Sequence, residues 1–207
     1  MKNALLPFTK AALIFISIIL AGCASTGPVA SITNTALELT GLKVPEVPKA
    51  PEIPDWQRPP RSVSLRIHAG ENLNTTPNNE PHALIVKIYK LRQNSNFQQL
   101  PYEVFLNSQK EKEMLATDLI EVKEVTLIPG QKFQVDEKVT REAYFIGVVG
   151  LYRAPALNRW RLSFASENVE KTGITIGAHG CALTVGAGQV IETTNFNPKF
   201  LNETRCQ

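Results

Sequence analysis

Hydrophobic and polar residues alternate along much of the chain after residue 61, a pattern typical of strands with one buried face. In Ser62 to Ala69, Val63, Leu65 and Ile67 share one face and polar residues occupy the other. Further strands are predicted at residues 83–91, 119–127, from 132 onward, and at 143–153, 159–164, 174–185 and 189–194. The pattern therefore predicts a β-sandwich over residues 62–185, followed by a C-terminal strand and tail at 186–207.

One segment between the strands has a helical pattern instead. Residues 101–117 begin with an apolar patch of Tyr102, Phe105 and Leu106. The charged run at 110–113 is expected to be a solvated helix face. Because helices do not alternate with strands, a parallel α/β fold is disfavoured. The predicted fold is all-β, a sandwich of seven or eight strands with one inserted helical segment.

The first 22 residues carry the pattern of an export signal. Lys2 and Lys10 give a basic start, and residues 11–21 are apolar apart from Ser17. A run of about eleven apolar residues fits a signal peptide and is well short of the ~20 needed to span a bilayer. Residues 1–22 are therefore predicted to be removed on export.

The leader ends in Leu20-Ala21-Gly22-Cys23, which resembles a bacterial lipobox. In lipoproteins of that type the cysteine carries an S-diacylglycerol and an N-acyl chain, which anchor it stably. Cys23 is therefore the predicted lipidation site; the alternative is an ordinary signal peptide with an unrelated cysteine. Ala24 and Ser25 follow, and the absence of an aspartate there resembles outer-membrane sorting. The expected location is the periplasmic face of the outer membrane.

Residues 23–61 are predicted to be the lipid anchor and a proline-rich tether. Prolines stand at every third position from Pro45 to Pro54. Polyproline II has three residues per turn, so these prolines would follow one edge of an extended rod. Such a rod could hold the domain on the order of 50 Å from the membrane.

Charge and composition narrow the range of functions. The chain has 22 basic and 19 acidic residues, and Lys2 and Lys10 belong to the predicted leader. The exported part is therefore nearly neutral and offers no broad surface for nucleic acid. Three histidines are few for a multi-metal enzyme, and no metal or other cofactor is expected beyond the lipid on Cys23.

Once Cys23 is assigned to the lipid, Cys181 and Cys206 remain. Two cysteines in an oxidising periplasm predict one disulfide, worth roughly 3 kcal/mol on the chain-entropy model. The alternative is a Cys181 nucleophile paired with His179, since residues two apart share a strand face. No orienting acid is evident for that pair, and a zinc site lacks further ligands.

The loop between the first two predicted strands, Gly70 to His82, has thirteen residues, which is long for a hairpin. It contains four asparagines and two prolines, and Leu73 is its only large apolar residue. Long ordered loops on a rigid sandwich are often binding loops, and the alternative is a flexible loop that binds nothing. The candidate partner-binding residues are Asn72, Leu73, Asn74, Asn78 and Asn79.

Several motifs together resemble the TssJ family, also called VasD or SciN, over about residues 62–185. The first is the lipobox at the end of the leader. The others are Leu73-Asn74, the strand at 84–91 with Lys87-Ile88-Tyr89, Phe105-Leu106, Asp118-Leu119, residues 124–130 with Pro129-Gly130, residues 146–149, Tyr152-Arg153 and Trp160-Arg161.

The resemblance implies an outer-membrane lipoprotein of the type VI secretion system. Members look like transthyretin-type sandwiches with an added helix, and they bind the periplasmic part of the inner-membrane protein TssM. In the family, the loop after the first strand is implicated in that contact. The proline rod and the tail from about Gly186, with Cys206, depart from the family pattern.

Two classes of function follow for the exported domain. The first is a non-enzymatic assembly subunit that holds the periplasmic domain of a TssM-like protein and presents a protruding, ordered loop. The second is a periplasmic lipoprotein that binds a small ligand through a sandwich pocket, which requires a deep apolar cavity with convergent polar groups. A hydrolase would need a nucleophile, a base and an orienting group, which the sequence does not supply.

Overall fold

The computed structural model describes residues 53–191, 197–201 and 204–206. The predicted signal peptide, Cys23 and most of the predicted tether lie outside the described residues. Residues 192–194 of the last predicted strand also lie outside them. Within the described part of the chain, no helix is long and apolar enough to cross a membrane.

Eight strands in the described residues form two four-stranded sheets. The first sheet contains β1 (Arg61–Ala69), β4 (Lys132–Val139), β7 (Ile174–Ala178) and β8 (Leu183–Ala187), in the order β4-β1-β7-β8. The second contains β2 (Leu84–Leu91), β3 (Leu119–Leu127), β5 (Phe145–Leu151) and β6 (Arg161–Ala165), in the order β3-β2-β5-β6. Neighbouring strands are antiparallel, except that β1 and β7 are parallel.

The core lies between the two sheets. In β1, Val63, Leu65 and Ile67 are buried while Arg66 and His68 face solvent, so the predicted alternation is confirmed. β2 is buried on nearly all its residues, because its inner face meets the other sheet and helices cover its outer face. The all-β sandwich with an inserted helical segment is confirmed.

The helical insert differs in extent from the prediction of one helix over 101–117. It contains α1 (Ser95–Gln99), α2 (Tyr102–Phe105), α3 (Ser108–Leu115) and a 3₁₀ turn at Ala116–Asp118. Pro101 explains the first break, because a proline holds the residue before it in an extended conformation, as seen at Leu100. Asn107 explains the second break, since its side chain accepts hydrogen bonds from the first backbone N–H groups of α3.

An aromatic cluster and a buried ion pair attach the insert to the second sheet. The ring of Tyr89 lies 5.2 Å from that of Phe97 and 5.9 Å from that of Phe105. Beside them, Lys87 Nζ lies 2.5 Å from Glu111 Oε2 and donates to the carbonyl of Phe105 at 3.0 Å. Glu111 is 1% exposed, so the charged run at 110–113 is not wholly solvated. The prediction was wrong there because the partner lysine is distant in sequence.

The predicted strand at 174–185 is two strands, β7 and β8, joined by a turn at 179–182. The turn is closed by a hydrogen bond from the N–H of His179 to the carbonyl of Ala182. Sequence analysis also missed a short helix, α4 (Ser166–Thr172), which ends at Gly173 with φ of +67°. Of the strand predicted at 189–194, the described residues show one bridge between Val190 and Phe164.

Candidate partner-binding surface

The loop from Gly70 to His82 lies at one end of the sandwich, opposite the end where β1 begins at Arg61. The connections β3–β4, β5–β6 and β7–β8 lie at the same end, because each strand runs antiparallel to its neighbour or parallel to β1. The N–H of Gly130, in the β3–β4 connection, donates to the carbonyl of Gly70 at 3.3 Å. We call this the loop end, formed by residues 70–82, 128–131, 152–160 and 179–182.

Backbone hydrogen bonds tie the base of the loop to the β7–β8 turn. The N–H of Asn74 donates to the carbonyl of His179 at 3.1 Å. The N–H of Thr75 donates to the carbonyl of Gly180 at 3.0 Å. A loop fixed by backbone bonds to a second segment has little freedom at its base, so its tip is held in a defined position.

Asn74 links the loop to two further segments. Its Nδ2 donates to the carbonyl of Ala83 at 2.8 Å, and its Oδ1 accepts from the N–H of Arg153 at 2.9 Å. Asn74 is 6% exposed and has φ of +46°, a left-handed conformation that asparagine tolerates better than most residues. This candidate contact residue therefore points into the protein and holds the loop in place.

Leu73 also faces inward. It is fully buried in the core, and the N–H of His82 donates to its carbonyl at 2.9 Å, which closes the two sides of the loop. Its N–H donates in turn to the carbonyl of Gly70. Leu73 thus packs the base of the loop onto the sandwich.

The tip of the loop forms a small hydrogen-bonded turn that faces solvent. The N–H of Asn79 donates to the carbonyl of Thr76 at 2.9 Å, and the N–H of Thr76 donates to the carbonyl of Glu80 at 3.0 Å. Asn78 and Asn79 are exposed on this turn, and Asn72 is exposed on the approach to it. Of the five candidate residues, three reach the surface and two are buried.

Cys181 and Cys206 form a disulfide at the loop end. Cys181 lies in the β7–β8 turn, and its carbonyl accepts from the N–H of Ala156 at 2.9 Å. A sulfur held in a disulfide is not available as a nucleophile. His179 instead hydrogen-bonds Thr184 Oγ1 at 2.8 Å, and burial lowers the pKa of its ring below the usual value.

The C-terminal segment is attached to the same end of the domain. The N–H of Val185 donates to the carbonyl of Pro198 at 2.9 Å. The guanidinium of Arg159 donates to the carbonyl of Phe200 at 2.5 Å and to that of Asn197 at 3.4 Å. With the disulfide at Cys206, these bonds hold residues 197–201 against β8 and the β5–β6 connection.

An open groove beside the loop separates the helical insert from the β5–β6 connection. Pro101, Tyr102, Arg153, Leu157 and Trp160 are among its lining residues. The wall is firm, because the Tyr102 hydroxyl donates to the carbonyl of Tyr152 at 2.5 Å and its ring meets that of Trp160 at 4.9 Å. The groove is therefore a fixed feature of the surface.

Arg161 braces this wall from the first residue of β6. Its guanidinium donates to the backbone carbonyls of Phe97, Gln98 and Leu100 and lies 4.6 Å from the centre of the Trp160 ring. Burial lowers the pKa of Arg161 to about 10, so the side chain stays charged at neutral pH. The charge is stabilised by the backbone carbonyls at the C-terminal end of α1.

Two connections of the loop end and the C-terminal segment each expose apolar side chains. Ile128 is 58% exposed in the β3–β4 connection, and Leu157 is 71% exposed in the β5–β6 connection. Phe200 and Leu201 of the C-terminal segment are 56% and 39% exposed. Exposed apolar groups beside an ordered loop are a feature of many protein-binding surfaces.

Among the described residues, the space between the two sheets is closely packed. The space between the sheets beside Val63, Ile88 and Ile146 is too small to admit a water molecule. In the described residues, no three His, Cys, Asp or Glu side chains are grouped as metal ligands would be. The arrangement favours recognition at the loop end.

A two-sheet sandwich with a helical insert on one sheet and an ordered loop after its first strand is the arrangement expected of a secretion-system lipoprotein. The sequence model of the type VI secretion lipoprotein family, whose members include VasD, EvfM and TssJ, matches residues 61–181. Because this match covers more than half of the chain, the chain belongs to that family. The family is one of secretion-system lipoproteins and not of enzymes.

Several solved structures have a fold similar to that of this chain, with TM-scores between 0.53 and 0.56 for the three described here. The type VI lipoprotein TssJ1 from Pseudomonas aeruginosa is 23% identical, with a TM-score of 0.56, over 63% of this chain and 98% of that one. A chain in the structure of the TssM C-terminal domain from EAEC is 29% identical, with a TM-score of 0.53, over 60% and 97%. A chain in a type VI membrane complex is 30% identical, with a TM-score of 0.56, over 60% and 97%. No curated protein matches the chain.

Sequence analysis missed several residues that build this surface. Arg153 and the turn at 179–182 hold the loop, and Arg159 holds the C-terminal segment. The glycine-rich stretch at 177–180 was a usable signal, since small residues mark places where another backbone approaches closely. At Gly180, an added Cβ would lie 2.9 Å from Thr75 Oγ1, so a larger residue there would have to displace the Thr75 hydroxyl.

Proposed function

We propose that this lipoprotein fixes a type VI secretion apparatus to the outer membrane by holding the periplasmic domain of a TssM-like inner-membrane protein. Membership of the type VI lipoprotein family supports this role. Similar chains at 29% and 30% identity occur in the structures of the TssM C-terminal domain and of a type VI membrane complex.

The observation that carries the proposal is the geometry of the loop end. The loop is fixed to two other segments, through His179 and Arg153, yet its tip and several apolar side chains remain exposed. A rigid loop loses little conformational entropy when it binds, so more of the interaction energy appears as affinity. Pro77 strengthens this effect by restricting the unbound chain.

The positions of the tether and the loop at opposite ends of the domain support the same role. The N-terminal segment joins the domain at Arg61, the first residue of β1. The loop follows Ala69, the last residue of β1. At about 3.3 Å per residue, a strand of this length separates the two ends by nearly 30 Å. A partner that approaches from the inner membrane would therefore meet the loop end away from the attachment of the tether.

Within the loop, the proposal divides the five candidate residues into two groups. Asn72, Asn78 and Asn79 would contact the partner, because they are exposed and their amides can both donate and accept hydrogen bonds. Leu73 and Asn74 would act indirectly by holding the loop in position.

The membrane attachment proposed for this chain is the lipid on Cys23, with residues 1–22 removed and residues 23–61 as anchor and tether. The leader pattern and the lipoprotein family support it. Cys23→Ser should abolish lipid labelling and release the protein from the outer-membrane fraction. If this variant still fractionates with outer membranes and supports secretion, the anchoring proposal is wrong.

The partner contact is tested by shortening the tip. Replacing residues 76–80 with Gly-Ser leaves the hydrogen bonds of Asn74 and Thr75 intact, so the domain should keep its thermal midpoint within a few degrees. Binding to the periplasmic domain of TssM from the same bacterium should fall at least tenfold, or about 1.4 kcal/mol. Lys112→Ala on exposed α3 is the matched control and should bind normally. Unchanged binding by a folded short-loop variant would place the contact elsewhere.

A further inference from the structure

The C-terminal segment is attached to the domain at several points. Chain ends are ordered mainly where something ties them down. Here Pro198 accepts a backbone hydrogen bond from Val185, Phe200 accepts one from the side chain of Arg159, and Cys206 is bonded to Cys181. Three attachments of different kinds therefore fix this segment on the domain.

Despite these attachments, the segment presents apolar side chains to solvent. Phe200 and Leu201 are 56% and 39% exposed, and Leu157 in the β5–β6 connection is 71% exposed. Leu157 is two residues before Arg159, which binds the carbonyl of Phe200 at 2.5 Å. We call Leu157, Phe200 and Leu201 the tail patch. Because the segment is fixed, these apolar side chains can be buried only when another molecule covers them.

We infer that the tail patch is a second contact for the partner that the loop binds, and this inference rests on the proposed function. The two surfaces share one support. The β7–β8 turn accepts a hydrogen bond from Thr75 of the loop at Gly180, and one from Ala156, the neighbour of Leu157, at Cys181. The base of the loop and the residue before Leu157 are therefore attached to adjacent residues of one turn, which is why we assign the loop and the tail patch to one partner.

The size of the tail patch indicates the same occupant. A stable interface buries about 800 Å² on each partner. Three partly exposed side chains provide only a few hundred Å², since even a large aromatic side chain buries at most about 250 Å². The tail patch is too small to hold two copies of the chain together by itself, and it is large enough to extend a contact that already includes the loop.

The tail patch would make the contact selective. The family match ends at residue 181, so Phe200 and Leu201 lie outside the part of the chain that the family model covers. An apolar addition outside the shared fold requires a complementary apolar surface on the partner. The partner's periplasmic domain should then bind this chain more tightly than it binds a family member without the segment.

The test uses the full lipidated chain in detergent, titrated with the periplasmic domain of TssM from the same bacterium. Phe200→Ser combined with Leu201→Ser should weaken binding at least fivefold. Met114→Ser is the matched control, because Met114 is 52% exposed on α3 and lies outside the loop end. It should bind as the unaltered chain does. The thermal midpoint and the absence of free thiols must be unchanged in both variants.

Different outcomes separate this inference from the proposed function. If shortening residues 76–80 weakens binding but the double serine variant binds normally, the tail patch is not a contact and the proposed function stands. If neither change weakens binding, both proposals are wrong. If the double serine variant instead changes the self-association of the chain, measured by sedimentation, the tail patch joins copies of this chain and the inference is overturned.

Discussion

The side-chain oxygen of Asn74 accepts a hydrogen bond from the backbone N–H of Arg153 at 2.9 Å, across 79 positions of sequence. The same amide donates to the carbonyl of Ala83 at 2.8 Å. One buried side chain therefore joins the loop after β1 to the start of β2 and to the chain leaving β5. Any effect of Asn74 on a partner has to pass through the position of the loop.

Asn74→Ala should lower the free energy of unfolding by about 1–3 kcal/mol, because it removes two hydrogen bonds of a buried side chain and leaves the N–H of Arg153 and the carbonyl of Ala83 without that partner. Urea unfolding measures this change. Asn74→Gly loses the same hydrogen bonds but tolerates a φ of +46°, so it should be less destabilising than the alanine variant. Asn78→Ala at the exposed tip is the control and should stay within about 0.5 kcal/mol. An Asn74→Ala variant as stable as the unaltered chain would show that these two hydrogen bonds contribute little to folding.

The strands with one buried face could be predicted closely from the sequence. β1 was expected at Ser62 to Ala69 and runs from Arg61 to Ala69, and β3 runs over the predicted residues 119–127. Burial of a single face imposes a period of two residues on a strand, and that period is visible in the sequence. The signal is weaker at 174–185, where small residues fit a strand, a bulge or a turn.

Contacts between distant residues could not be predicted in this way. The sequence predicts a long, polar binding loop, but whether an asparagine in it faces inward depends on Ala83 and Arg153. Glu111 is a similar case, because its neighbours in sequence are charged and its partner Lys87 lies on β2. The hydrophobic periodicity of a segment predicts which of its faces is buried. It does not predict which residue, distant in sequence, will bind a polar side chain on that segment.

Lys87 and Glu111 should be strongly coupled in stability. Replacing Lys87 with Met leaves the carboxylate of Glu111, 1% exposed, without its cation and should cost about 3–5 kcal/mol. Lys87→Met combined with Glu111→Met removes both charges and should recover most of that loss. Denaturant unfolding of the single and double variants gives the coupling energy. Additive losses in the double variant would show that the two side chains act independently.

The disulfide between Cys181 and Cys206 should contribute measurably to stability. Its sequence separation is 25 residues, and a loop of that size is worth roughly 3 kcal/mol on the chain-entropy model. Cys206→Ser should therefore unfold at lower denaturant, and reductant should destabilise the unaltered chain but leave the variant unchanged. Two labelled thiols at positions 181 and 206 in exported protein, under denaturing non-reducing conditions, would contradict the pairing.

Glu137 should make part of the stability depend on pH. Burial alone would raise the pKa of its carboxyl, but hydrogen bonds and charges from Lys123 and Lys90 lower it below its usual value of 4.5. The two amines lie 2.9 Å and 3.2 Å from the carboxylate oxygens. A carboxyl whose pKa is lower in the folded state contributes stability above its unfolded pKa and loses it as pH falls through the folded value. This contribution should therefore be complete above about pH 4.5 and disappear in more acid solution.

The measurement is the difference in unfolding free energy between the unaltered chain and Glu137→Gln from pH 7 to pH 2. The difference should be constant at neutral pH and shrink below about pH 4.5 as the carboxyl takes up its proton. Lys123→Met provides a second variant, because removing one amine raises the pKa of Glu137 toward its usual value and should move the loss to higher pH. A difference that stays constant down to pH 2 would mean that the protonation of Glu137 is not coupled to folding.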